Sequence, residues 1–252
     1  MKRILTFGPD VGVEFGWLLV KVIPKIRHMA LNFDETYVIT TSDRLPFYKD
    51  FAKPYTEMAK TLKQNMCGFR RTRITYVHPT QEFCCGPAKS LFYKYGSDSK
   101  SAGECIVIHM RKKGDGREWD NKTWNVFLKG LKKTTDLPIF SIGTQIHGCS
   151  DDVYGCYAPS DSAICFLSEA KLCIGPSSGA MHLASLCGCP HLVWTDKKKW
   201  NLGGKKGTNR QRYETEWNPF GTEAIVIDQY GWKPNPDIVL DKVKKFLERK
   251  WK

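Results

Sequence analysis

The sequence predicts an α/β fold in two halves, each a parallel sheet covered by helices, and three observations lead to this prediction. Apolar runs such as residues 105–109 lack the alternation of half-exposed strands and are typical of parallel strands buried on both faces. Segments with apolar residues at helical spacing alternate with these runs. The periodicity is lost between residues 79 and 103, where glycines and prolines mark turns. We therefore predict one domain over residues 1–100 and a second over residues 101–252.

The first half has the order strand, helix, strand, helix, strand. Its helix over residues 14–30 carries apolar side chains on one wide face, and Pro24 is expected to kink or interrupt it. One or two helices, broken near Pro54, are predicted over residues 46–66. This order is that of a Rossmann-like half. The predicted strands cover residues 3–7, 37–40 and 73–77.

The second half repeats the rhythm of strand, helix and strand. A basic loop over residues 110–119 separates its first strand from its first helix, and a long loop is predicted over residues 195–221. The predicted strands cover residues 105–109, 138–142, 172–174, 192–194 and 224–227, and the predicted helices cover 122–133, 161–170, 180–186 and 236–250.

The composition is that of a soluble globular protein. Of the 252 residues, 41% are hydrophobic and 26% are charged, and no apolar run approaches the roughly 20 residues that span a bilayer. The first residues enter a strand pattern directly and lack the apolar run and cleavage site of a signal peptide. We therefore expect a cytoplasmic location.

The ten cysteines raise the question of disulfides or a metal site. The sequence has no Cys-x-x-Cys pair, and Cys105, Cys165 and Cys173 lie in apolar runs, as small buried thiols do. It also lacks the Asp-x-Asp pair that would hold a divalent ion against a nucleotide diphosphate. We therefore expect reduced thiols and no metal.

The chain is strongly basic. Its 39 lysines and arginines against 26 acidic residues give a formal net charge of +13, with the excess spread over both halves. Such a chain is attracted to polyanions, which include nucleic acid, acidic glycans and anionic membrane surfaces. The charge does not choose among them.

Residues 172–194 organise the second half as a strand, a Gly/Ser turn, a helix and another strand. Such a turn directs the first free N–H groups of the helix to the space above the sheet, where they can hold the phosphates of a nucleotide. Ser177 and Ser178 add hydroxyl donors, and His182 lies in the first helical turn. The alternative is a helix cap followed by a core helix.

Residues 175–184, Gly-Pro-Ser-Ser-Gly-Ala-Met-His-Leu-Ala, resemble the donor-binding segment of the heptosyltransferase-like (family 9 type) glycosyltransferases. The family pattern is Gly-Pro-Asp-Ser-Gly, two residues and then His-Leu-Ala, so Ser177 stands where the family has an acidic residue. The resemblance implies the GT-B arrangement, in which two Rossmann-like halves face a crevice. It implies a nucleotide-sugar donor bound by Gly175, Ser177, Ser178, Gly179 and His182, with no further cofactor.

Three more segments of the second half resemble this family, over about residues 104–228 in total. Residues 106–111, followed by Lys122-Thr-Trp124, match its strand, basic loop and helix start. Residues 139–143 match the strand whose final glycine, Gly143, approaches the nucleotide base, and residues 161–175 match the helix and strand before the phosphate turn.

In the first half, residues 12–17 (Gly-Val-Glu-Phe-Gly-Trp) resemble a turn of some sugar transferases of this type. Family members need a carboxylate there as general base, so the resemblance implies that Glu14 or Asp10 accepts the proton of the acceptor hydroxyl. Alternatively, Glu14 complements a helix dipole and Asp10 is a turn residue.

Two groups of residues have weaker signals. Arg111, Lys112 and Lys113 follow a strand end and could neutralise a leaving diphosphate, or they form a solvated basic loop. Arg111 and Lys113 are our candidates for donor contacts.

The second group lies in the long loop, which is aromatic enough either to close over a substrate or to pack as a surface loop. Its candidate residues are Arg210, Trp217, Asn218 and Phe220.

Three functions remain open: a GT-B glycosyltransferase, a nucleic-acid-binding protein on the same fold, and another nucleotide enzyme such as a sugar epimerase. For a transferase, the charge favours a polyanionic acceptor. We expect a hydroxymethylated base in viral DNA, in an infected host cell, with Trp17 or Trp217 receiving the extruded base. The alternative acceptor is a surface glycan such as a lipopolysaccharide core.

Overall fold

The structure, a computed structural model, describes residues 2–10, 13–57, 72–77, 92–96, 103–143, 154–156, 160–202 and 205–250. The chain divides into two compact units. The first comprises Met1–Tyr93 with Leu202–Gly204, and the second comprises Lys94–Asn201 with Lys205–Lys252. The assignment of acceptor binding to the first half and donor binding to the second stays a prediction.

The first unit contains a four-stranded sheet in which every pair of neighbouring strands is parallel. Its strand order is β3-β2-β1-β4, with β1 in the interior and its residues Leu5 and Phe7 fully buried. The direction of winding changes between β1 and β4, so the loop that follows β1 lies at this change. The strands are β1 (Lys2–Phe7), β2 (Glu35–Val38), β3 (Lys53–Pro54) and β4 (Thr72–Val77).

The predicted helix over residues 14–30 is confirmed, with a change of helix type inside it. It starts as a short α-helix, α1 (Phe15–Trp17), continues through a π-helical turn over Leu18–Val22, and ends as α2 (Ile23–Ala30). Pro24 lies in the first turn of α2, which follows the π-helical turn directly, so the interruption expected at this proline takes the form of a change of helix type within a continuous helix.

The prediction of one or two helices over residues 46–66, broken near Pro54, is partly wrong: residues 48–54 are not helical, whereas the break at Pro54 and the helical residues 55–57 agree with it. Leu45–Phe47 form a 3-10 turn, and Pro54 belongs to β3. Proline is tolerated there because β3 is an edge strand and needs fewer N–H donors. The rest of that predicted helix from residue 58, Gly12 of the turn after β1, and most of the predicted linker lie outside the described residues.

The second unit contains a six-stranded parallel sheet of order β12-β9-β8-β5-β6-β7. Counted along its own strands from β7, this order is 3-2-1-4-5-6, the Rossmann order. The strands of this sheet are β5 (Cys105–Ile108), β6 (Ile139–Ile142), β7 (Tyr154–Cys156), β8 (Ala170–Pro176), β9 (His191–Trp194) and β12 (Ala224–Ile227). The helices are α3 (Asn121–Lys132), α4 (Ser160–Glu169), α5 (Gly179–Cys187), α6 (Asn209–Glu214) and α7 (Pro236–Lys250).

Buried aromatic side chains build the main core of the second unit between the sheet, α3 and α7. Trp119 stacks on Trp194 with ring centroids 4.4 Å apart. The Trp124 ring packs against both of these rings, with centroids 4.9 Å from Trp119 and 5.8 Å from Trp194. The predicted strands and helices of this half agree with the structure within a few residues, and β8 is longer than predicted. No helix in the described part of the chain is long and apolar enough to cross a membrane.

The predicted long loop over residues 195–221 is wrong, because it contains secondary structure. Two strands, β10 (Lys199–Leu202) and β11 (Lys205–Thr208), form a small sheet, and α6 follows directly. A capping box begins α6: the Thr208 side chain accepts from the Gln211 backbone and the Gln211 side chain accepts from Thr208.

Candidate functional site

The candidate donor site lies at the carboxyl edge of the six-stranded sheet. The chain leaves β5 towards β6 on one side and leaves β8 towards β9 on the other, so the loops after β5 and β8 flank the point where the strand order reverses. Open α/β sheets bind ligands at this point. The structure therefore brings the loop of Arg111, the phosphate turn at Ser177 and Ser178, and Gly143 at the end of β6 to one sheet edge.

His109 lies between these strand ends, and no motif in the sequence predicted a role for it. Its backbone N–H donates to the Ile174 carbonyl oxygen at 2.9 Å, and its ring Nδ1 lies 3.0 Å from the Ile142 carbonyl oxygen. A Cβ at Gly175 would lie 3.0 Å from the His109 carbonyl oxygen. At Gly143, with φ of +146°, a Cβ would lie 3.4 Å from the His109 ring. Both glycines therefore let the chain pack closely around His109.

Two buried polar atoms stand unpaired at the start of α5. Ser178 occupies the N-cap position with extended backbone, but its side chain makes no capping hydrogen bond. Within the described residues, neither Ser178 Oγ nor His182 Nδ1 has a hydrogen-bond partner, although both side chains are more than nine-tenths buried. A buried polar atom without a partner costs about 1–3 kcal/mol, so a ligand that pairs with these atoms would remove that cost.

His182 is neutral in this environment. Burial, with a smaller effect of the nearby His191, lowers the pKa of His182 to about 3. A contact between His182 and an anion would therefore use an N–H of the neutral ring. The helix start supplies the positive end of the backbone dipole instead of a side-chain charge.

Aromatic residues from the segment that was predicted as a lid pack on His182. The Tyr213 ring stacks on the His182 ring at 5.4 Å between centroids, and the Trp217 ring meets it edge-on at 4.6 Å. The Tyr213 hydroxyl donates to Ser177 Oγ at 3.2 Å. Ser185 of α5 donates to the Trp217 carbonyl oxygen at 3.0 Å. The segment is thus packed against α5 in this structure.

Arg210 and Asn218 hold this segment in place. The Arg210 guanidinium donates to both carboxylate oxygens of Asp228, at 2.9 and 2.8 Å. The Asn218 side chain closes a turn with the Thr222 backbone. Phe220, by contrast, is exposed. These contacts support the packed-loop alternative for Arg210 and Asn218.

A pocket of about 480 Å³ opens at the start of α3. Arg111 lines it and forms an ion pair with Asp115, while Arg111 Nε has no hydrogen-bond partner among the described residues. Lys113 is not among the lining residues and is exposed, and its backbone N–H donates to Glu118. The basic residues lining the pocket are Arg111, Lys112 and Lys122; the others are Met110, Glu118, Trp119, Asp120, Asn121 and Trp124.

The basic loop neutralises part of its own charge. Hydrogen bonds from Arg117 and then Arg111, against the opposing effect of burial, hold the pKa of the Asp115 carboxyl far below its usual range. Asp115 therefore stays ionised and keeps Arg111 oriented along the loop. An arriving phosphate would compete with Asp115 for this guanidinium.

In the first unit, Glu14 lies at the start of α1 with an exposed side chain. Its carboxylate makes no capping hydrogen bond to the helix, although its carbonyl oxygen accepts from the Leu18 N–H at 2.9 Å. Glu14 therefore holds the N-cap position, where its charge can complement the helix dipole without a capping hydrogen bond, and its role as general base stays a prediction. Trp17 ends α1 and is half-buried.

Asp10 lies in a different environment, fully buried in a hydrogen-bond network. Its two carboxylate oxygens accept from the Thr40 hydroxyl at 2.8 Å and from the Tyr48 hydroxyl at 2.6 Å. The Arg44 guanidinium donates to the backbone carbonyl oxygens of Asp10 and Val13, at 2.5 and 3.3 Å. Asp10 therefore organises the loop before Glu14, and its oxygens are already occupied.

We expect Asp10→Asn to destabilise the first unit by about 3 kcal/mol, because the charge that pairs with Arg44 is lost in a buried site. Urea unfolding of the variant measures this loss. The exposed Asp43→Asn is the matched control and should leave the unfolding free energy within about 0.5 kcal/mol of the wild type. Equal stability of the Asp10 and Asp43 variants would contradict this assignment.

The described residues contain no group of three or more histidine, cysteine, aspartate or glutamate side chains that could hold a metal ion. Of the described cysteines, Cys105, Cys173, Cys187 and Cys189 are buried free thiols. Burial raises the pKa of the Cys105 thiol to about 12, so it remains protonated.

Known structures resemble this fold over nearly the whole chain. E. coli ADP-heptose LPS heptosyltransferase II has a TM-score of 0.64 at 12% identity, covering 99% of both chains. E. coli heptosyltransferase WaaC, solved with ADP, has a TM-score of 0.55 at 12% identity, covering 98% of this chain and 99% of that one. The chain has the fold of the GT-B glycosyltransferases.

The predicted fold and the resemblance to heptosyltransferases are thereby confirmed. A Listeria monocytogenes protein to which UDP-N-acetylglucosamine 2-epimerase activity has been provisionally assigned also resembles the chain. Its TM-score is 0.53 at 9% identity, and the match covers 99% of this chain and 89% of that one. No family model matches the chain, and no curated protein matches it in sequence. Because the identities are this low, the comparisons show the fold alone.

Proposed function

We propose that this protein is a glycosyltransferase that moves a sugar from a nucleotide-diphosphate donor to an acceptor hydroxyl. The observation that carries the proposal is the start of α5. There, Ser178 Oγ and His182 Nδ1 are buried and have no partner in the part of the chain that the structure describes; both lie at a helix N-terminus, on the edge of the sheet where the strand order reverses. Both features suit an anion, and the diphosphate of a sugar nucleotide is an anion of this kind.

The reaction assigns a role to each part of the site. The acceptor oxygen attacks the anomeric carbon while the bond from that carbon to the diphosphate oxygen breaks. Glu14 accepts the proton of the acceptor hydroxyl, since its carboxylate is exposed and makes no capping hydrogen bond. The leaving diphosphate gains negative charge, which the start of α5, Ser177 and Arg111 stabilise. Basic residues and a helix dipole do this work in the proposal, so we expect transfer to continue in a chelator.

The acceptor is an anionic surface glycan of the lipopolysaccharide type in this proposal. One fold neighbour is named as an ADP-heptose LPS heptosyltransferase, and the net charge of +13 suits a phosphorylated glycan. The hydroxymethylated DNA base, which we expected from the net charge, finds no support among the fold neighbours. A transfer assay with lipopolysaccharide core, hydroxymethylated duplex DNA and plain duplex DNA separates the acceptors. We expect sugar on the glycan, and sugar on hydroxymethylated DNA would reinstate the first expectation.

A panel of nucleotide sugars tests the donor. One of them should raise the melting temperature, because a ligand that binds the native state alone stabilises it by mass action. Incubation with that donor alone then separates transfer from epimerisation, the activity assigned to one fold neighbour. If the donor sugar is epimerised, the protein is an epimerase and the transferase proposal is wrong. If no nucleotide sugar raises the melting temperature, both the transferase and the epimerase activities are contradicted.

We expect His182→Ala and Gly179→Val to weaken donor binding roughly 10-fold or more, since both change the start of α5. Calorimetric titration with the stabilising donor measures the affinity. His28→Ala on α2 is a matched control and should bind as the wild type does. Unchanged affinity in both α5 variants would contradict the role of this turn.

A further inference from the structure

Tyr213 connects two of the candidate anion contacts at the phosphate turn, Ser177 and His182, and has no assigned role in the proposed reaction. It is fully buried and lies on α6. Its hydroxyl lies 3.2 Å from Ser177 Oγ, and its ring is nearly parallel to that of His182, with an interplanar angle of 23°. One side chain thus contacts Ser177 through its hydroxyl and His182 through its ring.

The position of Tyr213 is fixed by contacts of α6 with neighbouring strand ends. The capping box at Thr208 begins the helix, and the Asn209 side chain donates to Thr195 Oγ1 at 2.6 Å, directly after β9. Arg210 pairs with Asp228, directly after β12. Because α6 is tied to the same sheet edge as the phosphate turn, Tyr213 is held in one place relative to that turn.

The hydroxyl contact gives Ser177 a direction. The Tyr213 hydroxyl is the donor in this contact, and an ionised phosphate accepts hydrogen bonds and cannot donate them. With an anion at the turn, the Tyr213 hydroxyl donates to Ser177 Oγ, and the Ser177 hydrogen is free to point to the anion. Such a chain of hydrogen bonds strengthens its last member. Burial raises the pKa of the Tyr213 phenol, so its proton is present for this donation.

The ring contact gives His182 its orientation. Tyr213 stacks on one side of the imidazole while Trp217 meets it edge-on, and the Tyr213 and Trp217 rings lie at 82° to each other. These two rings limit rotation of His182 about its side-chain bonds. The unpaired Nδ1 is therefore held in one direction, which lowers the entropy lost when it binds a ligand.

We propose that Tyr213 is a positioning residue that aligns the Ser177 hydroxyl and the His182 ring to receive the donor diphosphate. This inference rests on the proposed function, because it assumes an anion at the phosphate turn.

A double-mutant cycle on the full chain tests the hydroxyl contact, with ADP, UDP and GDP as probes in calorimetric titrations. Tyr213→Phe keeps the ring and removes the hydroxyl, and we expect roughly 3- to 10-fold weaker binding of the nucleotide that the wild type binds. Ser177→Ala should lose a similar factor. The double variant should lose no more than the larger single loss, since both changes break the same chain. Tyr230→Phe, at an exposed tyrosine of the same unit, is the control and should bind as the wild type does.

The ring contact is tested by Tyr213→Leu, which should bind the nucleotide more weakly than Tyr213→Phe at a temperature where both are folded. Both variants lack the hydroxyl, so the higher nucleotide affinity expected for Tyr213→Phe measures the effect of the ring on the orientation of His182. Losses that multiply in the double variant, or binding by Tyr213→Phe equal to that of the wild type, would overturn the positioning role alone. A wild type that binds none of the three nucleotides would overturn the proposed function and this inference with it.

Discussion

Glu14→Gln is expected to reduce sugar transfer by about 10²- to 10⁴-fold, the range that general-base catalysis contributes. The amide keeps the size of the side chain but cannot accept the proton of the acceptor hydroxyl. Because Glu14 is exposed and makes no capping hydrogen bond, stability should be unchanged. Initial rates at saturating donor, together with donor affinity by calorimetry, measure the two effects separately.

Asp10→Asn provides the comparison for this result. The two carboxylates are close in sequence, but Asp10 is buried with both oxygens accepting hydrogen bonds. We therefore expect the Asp10 variant to lose stability and the Glu14 variant to lose activity at full stability. A Glu14→Gln protein that keeps most of its activity would transfer the role to Asp10 or to a group on the substrate.

Acid is expected to destabilise the second unit well above the pH at which ordinary carboxylates titrate. Burial lowers the pKa of His182 to about 3 and that of His191 to about 4, so both rings are neutral in the folded chain. In the unfolded chain both take up protons near pH 6.5. Because the unfolded state binds more protons, stability is complete above pH 6.5 and is lost as the pH falls from 6.5 to about 4.

Each histidine contributes up to about 1.4 kcal/mol for each pH unit in this window. Urea unfolding at half-unit steps between pH 7 and pH 4.5 measures the slope. His182→Asn and His191→Asn each remove a titrating group and should each make the slope shallower by that amount. A slope that neither substitution changes would contradict the assignment of these two buried neutral rings. Burial also lowers the pKa of His109, which adds to the wild-type slope.

Much of the second unit could be predicted from sequence because its signals are local. The run over residues 105–108 is apolar throughout, and α3 and α7 have one apolar face each. The phosphate turn was predicted from Gly175, the two serines and the apolar helix that follows. The structure shortens that turn to Ser177 and Ser178, because β8 continues through Gly175 and Pro176.

Elements that depend on tertiary pairing were missed. The strand β7 has three residues and lies at the edge of its sheet. The edge strand β3 has two residues, and one of them is a proline, which in the sequence alone indicates the end of a helix or strand. The helix α6 had a local signal that was overlooked, the capping pattern of Thr208 and Gln211. The site residues Tyr213 and His109 had no such signal, since their roles arise from contacts with strands and helices far along the chain.

Calorimetric titration of the intact protein with ADP, UDP and GDP, in the presence of a chelator, tests the central claim most directly. That claim is that the start of α5 holds the diphosphate of a sugar donor. We predict that one nucleotide binds with a stoichiometry of about 1:1 and that Gly179→Val weakens this binding roughly 10-fold or more while remaining folded. Binding of none of the three, or equal binding by wild type and Gly179→Val, would contradict the claim.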